Sequence, residues 1–226
     1  MRDKIKTIIW DLDNTLYKFN DGLLDGWSYA AAKYTSDNHD DLDYKTAVQM
    51  ALDGWKNHRN SGYHFVNDFG FDQRKIINAV DEALDVNHVI PCPQTPNLME
   101  NMRDYHHVIL TLAIKDWAYR VLDHTGLAEF FHPDFILGAE DYNFEDKAHS
   151  PRGILTALDK IGGNANEVLF VEDTLPNLKT AKDHTDVNTA YLHHNRTIND
   201  NDMAHVDISV QDTPELLKWF KEIPAA

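Results

Sequence analysis

The sequence predicts an α/β fold: a doubly wound, Rossmann-like parallel five-stranded sheet carrying an all-helical insertion. Three observations support this. Short continuous apolar runs such as Val168-Leu169-Phe170-Val171 read as strands buried on both faces. Helical patterns alternate with those runs, as they do when helices cover a parallel sheet. Between the first run and the next, residues 18–91 hold only helical periodicity, closed by Pro91 and Pro93.

Taken in order, residues 1–11 read as the first strand, with Thr7-Ile8-Ile9-Trp10 as its apolar part. In the insertion, Leu23, Trp27, Ala31 and Tyr34 share a helical face. So do Tyr44, Ala47, Val48, Ala51, Leu52 and Trp55, then Ile76, Ile77, Val80 and Leu84. Gly62 and Gly70 punctuate the stretch. Thr95-Pro96 predicts a helix start, Thr as N-cap and Pro in the first position. Val108 to Leu112 is the second strand, and the helix after it stops at Gly126. Phe135 to Leu137 is a short third strand, followed by a helix over 152–160 that Gly162-Gly163 ends. Val168 to Val171 is the fourth strand, with a helix over 178–183, and Thr189 to Leu192 is the fifth. Residues 195–202 read as an exposed loop and 214–221 as the last helix. The domains expected are therefore a core of residues 1–17 and 92–226 and a helical insertion of residues 18–91.

Of the 226 residues, 42% are hydrophobic, enough for a sizeable core. The formal net charge of -16 argues against a nucleic-acid or anionic membrane partner, each of which needs a basic face. A small anionic substrate stays compatible, because charges beyond about 8–10 Å are largely screened at physiological salt. No apolar run is long enough to span a membrane or form a signal peptide, and Cys92 is the only cysteine, so a cytoplasmic protein, monomer or homodimer, is expected. The 13 histidines read as solvated surface.

Two carboxylates, Asp11 and Asp13, stand at the end of the first strand, where open α/β sheets bind ligands. A calcium loop starting at Asp11 needs Gly at its sixth position and Glu at its twelfth, but Leu16 and Gly22 stand there. An Asx-type turn is the plain alternative. A carboxylate nucleophile attacking a phosphoryl group needs companions instead: a divalent cation, a lysine and hydroxyl donors to offset the repulsion of like charges. The other strand ends carry such groups in order. Thr111 follows strand two, Lys147 lies in the loop after strand three, Glu172-Asp173 ends strand four, and Asn177 follows near a helix start.

The motifs Asp11-Leu12-Asp13-Asn14-Thr15-Leu16, Thr111, Lys147 and Val171-Glu172-Asp173-Thr174-Leu175-Pro176-Asn177 resemble those of the haloacid dehalogenase (HAD) superfamily. The insertion resembles the cap of the C1-capped branch, and "DLDNTLY" with "VEDTLPNLKTAK" is similar to the pyrimidine 5′-nucleotidase-like subgroup. There are two departures: Leu112 where the family often has Asn, and Lys147-Ala148-His149-Ser150-Pro151 where it often has Lys-Pro-x-Pro. Lys115 is the alternative lysine.

The resemblance implies a Mg²⁺-dependent phosphomonoester hydrolase. Asp11 would be the nucleophile that forms an aspartyl-phosphate, and Asp13 the general acid/base. Thr111, Lys147 and Asn14 would hold the phosphate. Asp11, the Asp13 carbonyl, Asp173 and Glu172 would hold the metal, supported by Asn177 and Thr15. Dehalogenases of this kind lack an acid at the Asp13 position. The cap would contact the leaving group, while Tyr17, Phe19 and Trp27 near the hinge read as packing aromatics. The expected substrate is a nucleoside 5′-monophosphate, a pyrimidine one if the subgroup resemblance extends to the substrate. Alternatives are another small phosphorylated metabolite, such as a phosphoglycolate or sugar phosphate, a phosphomutase reaction, or a binding protein without activity.

Overall fold

The computed structural model describes residues 1–18, 20–58, 60–197 and 203–221. The chain divides into two compact units, Met1–Lys18 with Pro91–Ala226, and Phe19–Ile90.

In the first unit a parallel sheet holds β1 (Thr7–Trp10), then, after the second unit, β2 (His106–Leu110), β3 (Ile136–Leu137), β4 (Val168–Glu172), β5 (Asn188–Leu192) and β6 (Ile208–Val210). Their order is β3-β2-β1-β4-β5-β6. The chain builds outward on one side of β1, then returns to build on the other. β1 and β4 therefore flank the point where the winding reverses, the place such sheets use for ligands. Register aligns their ends: Trp10 pairs with Ile109 of β2 and Val171 of β4. Asp11 then continues the ladder for one bond, its N–H donating to the Val171 carbonyl at 2.9 Å.

The second unit holds α1 (Asp21–Asp37), α2 (Tyr44–His58), α3 (Tyr63–Asn67) and α4 (Gln73–Ala83). Asn20 caps α1, its side chain accepting from the Leu23 N–H at 2.8 Å, and Asp72 caps α4 through the Arg74 N–H at 2.9 Å. The helices meet over Ala31, Ala32, Leu42, Ala47, Ala51, Phe65 and Ile76. Small alanines on facing helices let α1 and α2 approach closely, and Phe65 fills the centre. Tyr44, on the face read from periodicity, is exposed at the start of α2.

The helices of the first unit are α5 (Thr95–Met99), α6 (Lys115–His124), α7 (Arg152–Ile161), α8 (Leu175–His184) and α9 (Thr213–Lys221). One face of the sheet packs Ile9, Val108, Leu110, Leu137 and Phe170 against Ile154 and Ala157 of α7 and Leu178 and Ala181 of α8. Full burial of each such aliphatic or aromatic side chain contributes about 1.5–3 kcal/mol. β1, β2 and β4 are almost wholly buried, so the residues at their ends are held by a rigid core.

Several sequence expectations change. The sheet has six strands, not five: β6 is three residues long and alternates buried, exposed, buried, too short to stand out. Residues Arg2–Lys4 form a 3₁₀ turn instead of the start of β1. β2 closes at Leu110, one residue before Thr111. Thr95 is the first residue of α5 and Gln94 its cap, so Pro96 sits one place later than predicted. His107 is buried in β2, where Trp10 Nε1 donates to its Nδ1 at 3.0 Å and its Nε2 donates to the Met102 carbonyl at 2.9 Å. Phe19 and residues 198–202 lie outside the described residues. Among the described residues no helix is long and apolar enough to cross a membrane.

Candidate active site

Four acids gather at the carboxyl ends of β1 and β4: Asp11, Asp13, Glu172 and Asp173. Asp11 follows β1 directly and is 5% exposed. Thr111 lies level with it at the end of β2, its N–H bonded to the Leu137 carbonyl of β3 at 3.0 Å. Parallel register alone places these groups on one rim.

Lys147 comes from farther off. After β3 the chain turns back through Asn143 and Phe144, both in the left-handed region at φ 64° and 59°. A bulky residue there is strained, and such strain persists only where the surroundings enforce it. Tyr142, fully buried, anchors the turn by donating to the Thr111 carbonyl at 2.6 Å. The Asp146 side chain accepts from the Ala148 N–H at 2.8 Å and fixes the next turn. Lys147 then reaches inward. Its ammonium donates to Asp11 Oδ1 at 2.6 Å, Glu172 Oε2 at 2.9 Å and the Leu110 carbonyl at 3.2 Å. Burial opposes its charge, but Asp11 and Glu172 outweigh burial and hold its pKa well above the usual lysine range. Lys115, the alternative lysine, lies elsewhere, on Asp141 at 2.6 Å.

The acids themselves are pushed toward protonation. Burial, then the Glu172 charge, raises Asp11 to about 7 against the pull of Lys147. Glu172 is raised by burial and drawn down by Lys147 and by a hydrogen bond from Asn177. Asp173 is raised by burial and by Asp11, and drawn down by Asn14 and Arg196. Asp13 is raised by burial and drawn down by hydrogen bonds from Tyr17, Trp117 and Thr111.

Asp13 points away from the other three. Its Oδ1 accepts from the Tyr17 hydroxyl and from Trp117 Nε1 at 3.0 Å, and its Oδ2 lies 3.4 Å from Thr111 Oγ1. Thr111 Oγ1 also accepts from the Ala113 N–H at 3.1 Å.

Asn14, expected at the phosphate, is placed on Asp173, donating to Oδ2 at 2.6 Å from a left-handed backbone of φ 60°. Arg196 meets the same carboxylate at 3.0 Å, and donates to the Asp173 carbonyl at 2.8 Å and the Leu192 carbonyl at 3.2 Å. It belongs to the stretch read as an exposed loop, yet its guanidinium is engaged in the site. Two residues before it, His194 bonds the Asn14 carbonyl through Nε2 at 2.7 Å. Thr15 is buried, and its carbonyl accepts from Thr213 Oγ1 at 2.6 Å. Its own hydroxyl has no hydrogen-bond partner among the described residues.

Tyr17, Trp117, His194 and Arg196 were not legible as site residues. Tyr17 carried only an aromatic signal near the hinge, and Trp117 sits in α6 with none at all. Arg196 follows Asp173 by 23 positions in a polar stretch.

Asp11, Glu172 and Asp173 each offer a carboxylate oxygen, all within 4.8 Å of one another. Lys147 and Arg196 balance only part of the charge of the four acids. Crowded hard oxygens with residual negative charge suit a small divalent cation such as Mg²⁺.

Fold and site together define an α/β enzyme core built on a buried carboxylate cluster. The chain belongs to the haloacid dehalogenase-like hydrolases, whose family model matches residues 5–185. No curated protein matches the sequence. Among solved structures, a HAD phosphatase from Thermococcus onnurineus is similar at 19% identity and TM-score 0.65, covering 95% of this chain and 97% of that one. L-2-haloacid dehalogenase from Xanthobacter autotrophicus is similar at 16% identity and TM-score 0.59, with 97% and 100% covered. The HAD-hydrolase YfnB from Bacillus subtilis, bound to magnesium, is similar at 15% identity and TM-score 0.61, with 97% and 99% covered. At these identities the likeness is one of fold. Phosphatase and dehalogenase share it, so the side chains must decide between them.

Proposed function

We propose that the protein is a phosphomonoester hydrolase working through an aspartyl-phosphate on Asp11. The observation that carries this is Asp13, a half-buried carboxyl group two residues after the nucleophile, turned away from the metal-type cluster and toward Thr111. Displacing halide from a carbon needs no proton donor, whereas expelling an alkoxide from phosphorus does.

Asp11 attacks phosphorus as the bond to the leaving oxygen breaks, and Asp13 gives that oxygen its proton. Asp13, now a carboxylate, takes a proton from water; the hydroxide attacks phosphorus, the Asp11 O–P bond breaks, and phosphate leaves. Dividing one hydrolysis in two gives each step a lower barrier. Lys147 favours the ionised form of Asp11 and, with Thr111, offers donors to phosphoryl oxygens. Mg²⁺, held by Asp11, Asp173, the Asp13 carbonyl and Glu172, would supply charge neutralisation at the phosphoryl group. Asn14, Asn177 and Arg196 orient the carboxylates that hold it. The magnesium bound by YfnB supports this choice of ion.

For the substrate we assign a small phosphorylated metabolite, with a nucleoside 5′-monophosphate first, and residues 19–90 as a C1 cap. The wording "DLDNTLY" and "VEDTLPNLKTAK" supports the pyrimidine nucleotidase-like subgroup.

A panel of phosphomonoesters and 2-haloacids, assayed with Mg²⁺, tests the reading. We expect free phosphate from the wild type, none from D11N, and no halide. Halide release, an isomeric phosphate ester as product, or equal inactivity of both proteins across the panel would overturn it.

A further inference from the structure

We infer that Trp117 and Tyr17 are positioning residues that decide which oxygen of Asp13 moves the proton. The inference rests on the phosphatase reading. It begins with the asymmetry of the Asp13 carboxyl group. Oδ1 receives both strong donors, Trp117 Nε1 at 3.0 Å and the Tyr17 hydroxyl, while among the described residues Oδ2 has only the long 3.4 Å contact with Thr111. An indole N–H can donate and never accept. It therefore holds Oδ1 as an acceptor whatever the protonation state of the acid. When Asp13 carries a proton, that proton sits on Oδ2, the oxygen beside Thr111.

Both donors are themselves fully buried. Trp117 is 0% exposed and Tyr17 1%. Trp117 lies in the first turn of α6, two residues past its start at Lys115, and Arg120 stacks over its ring at 4.9 Å. Tyr17 follows the tight turn that Leu12 closes by accepting from the Thr15 and Leu16 N–H groups at 3.2 and 3.0 Å. The two side chains thus reach Asp13 from positions 4 and 104 residues away in the sequence, and each is held by structure outside the site. Free rotation of a carboxyl group would let either oxygen carry the proton, so half of its orientations would waste it. Fixing Oδ1 removes that loss, and orientation of a catalytic group is a large part of its effect.

Leaving-group dependence reads this role directly. The substrates are p-nitrophenyl, phenyl and benzyl phosphate, which keep one ring while the leaving oxygen grows more basic and more dependent on a proton. The variants are W117F and Y17F, each of which removes a donor and keeps an aromatic ring, with D13N as the limit. The parameter is kcat/KM, which reports the transfer to Asp11. We expect the ratio of benzyl to p-nitrophenyl phosphate to fall about 10–100-fold in W117F and Y17F, approaching the fall in D13N. Thermal melting of each variant shows that it is folded. An equal fall on all three substrates, or no fall on any, overturns the positioning role. Because the two variants alter different elements, the turn after β1 and the first turn of α6, a packing defect peculiar to one cannot mimic the result in both. Wild type inactive on all three substrates, with D11N no different, overturns the phosphatase reading itself, and this inference with it.

Discussion

Lys147 places its ammonium 2.6 Å from the Asp11 carboxylate, with both side chains less than a tenth exposed. A third buried group, Glu172, shares the ammonium at 2.9 Å, so one positive charge ties the ends of β1 and β4 together.

Removing that charge leaves two carboxylates buried without their cation. Breaking a buried pair costs about 3–5 kcal/mol, because the survivor stays desolvated. We expect K147M to lose stability of that order, measured by urea unfolding in EDTA, and to lose phosphatase turnover.

The acidic cluster works against folding near neutral pH. Asp11 has a folded pKa of about 7, above its ordinary 3.8. A raised acid contributes stability below its unfolded pKa and loses it as pH rises through the folded value. Metal-free protein should therefore lose this contribution from about pH 4 to pH 7. D11N should melt several degrees above wild type in EDTA at pH 7.5. Addition of Mg²⁺ should raise the melting temperature of wild type more than that of D11N, as ligand linkage requires. Differential scanning calorimetry reads both.

His107 has the opposite dependence. Burial holds its pKa down to about 4, and its Nδ1 accepts from Trp10, so it folds neutral. Its contribution is complete above the unfolded value of 6.5 and is lost as pH falls toward 4. A shift of that size corresponds to about 3 kcal/mol. H107Q keeps an acceptor for Trp10 and has no charge to gain. The stability difference between wild type and H107Q, followed by urea unfolding, should therefore shrink or reverse as pH falls from 7 to 4.

Arg196 holds Asp173 from the loop after β5. Charge-assisted hydrogen bonds contribute about 1.5–3 kcal/mol when buried, and the partial exposure of this side chain puts R196A nearer 1–2 kcal/mol. The loss should be larger in EDTA than in Mg²⁺, because the ion supplies the positive charge that the variant lacks. Equal losses in both conditions would assign Arg196 to the loop alone.

Several of these groups were readable in one dimension. Asp11, Thr111 and Glu172-Asp173 are each tied to a strand end, and a buried strand announces itself by a continuous apolar run. Lys147 was readable because it lies between a strand and a helix in the expected order. Trp117 was hidden because an aromatic residue in a helix almost always packs. Arg196 was hidden because a cation in a polar stretch is ordinarily solvated. The short β6 was hidden because three residues cannot show a period.

What the sequence by itself determined is the class of architecture and the identity of the acids, since periodicity and strand-end position are local properties of the chain. Only tertiary structure decided what each acid touches. Asp11 and Asp13 are two residues apart and chemically alike, yet one folds against Lys147 and the other against Tyr17 and Trp117. Those partners lie as far as 136 residues away, and only the packing of α6 and of the turn before α7 brings them in. The reason is physical: local pattern sets which face of the sheet a side chain leaves from, whereas its charge state depends on burial and on neighbours supplied by distant parts of the chain.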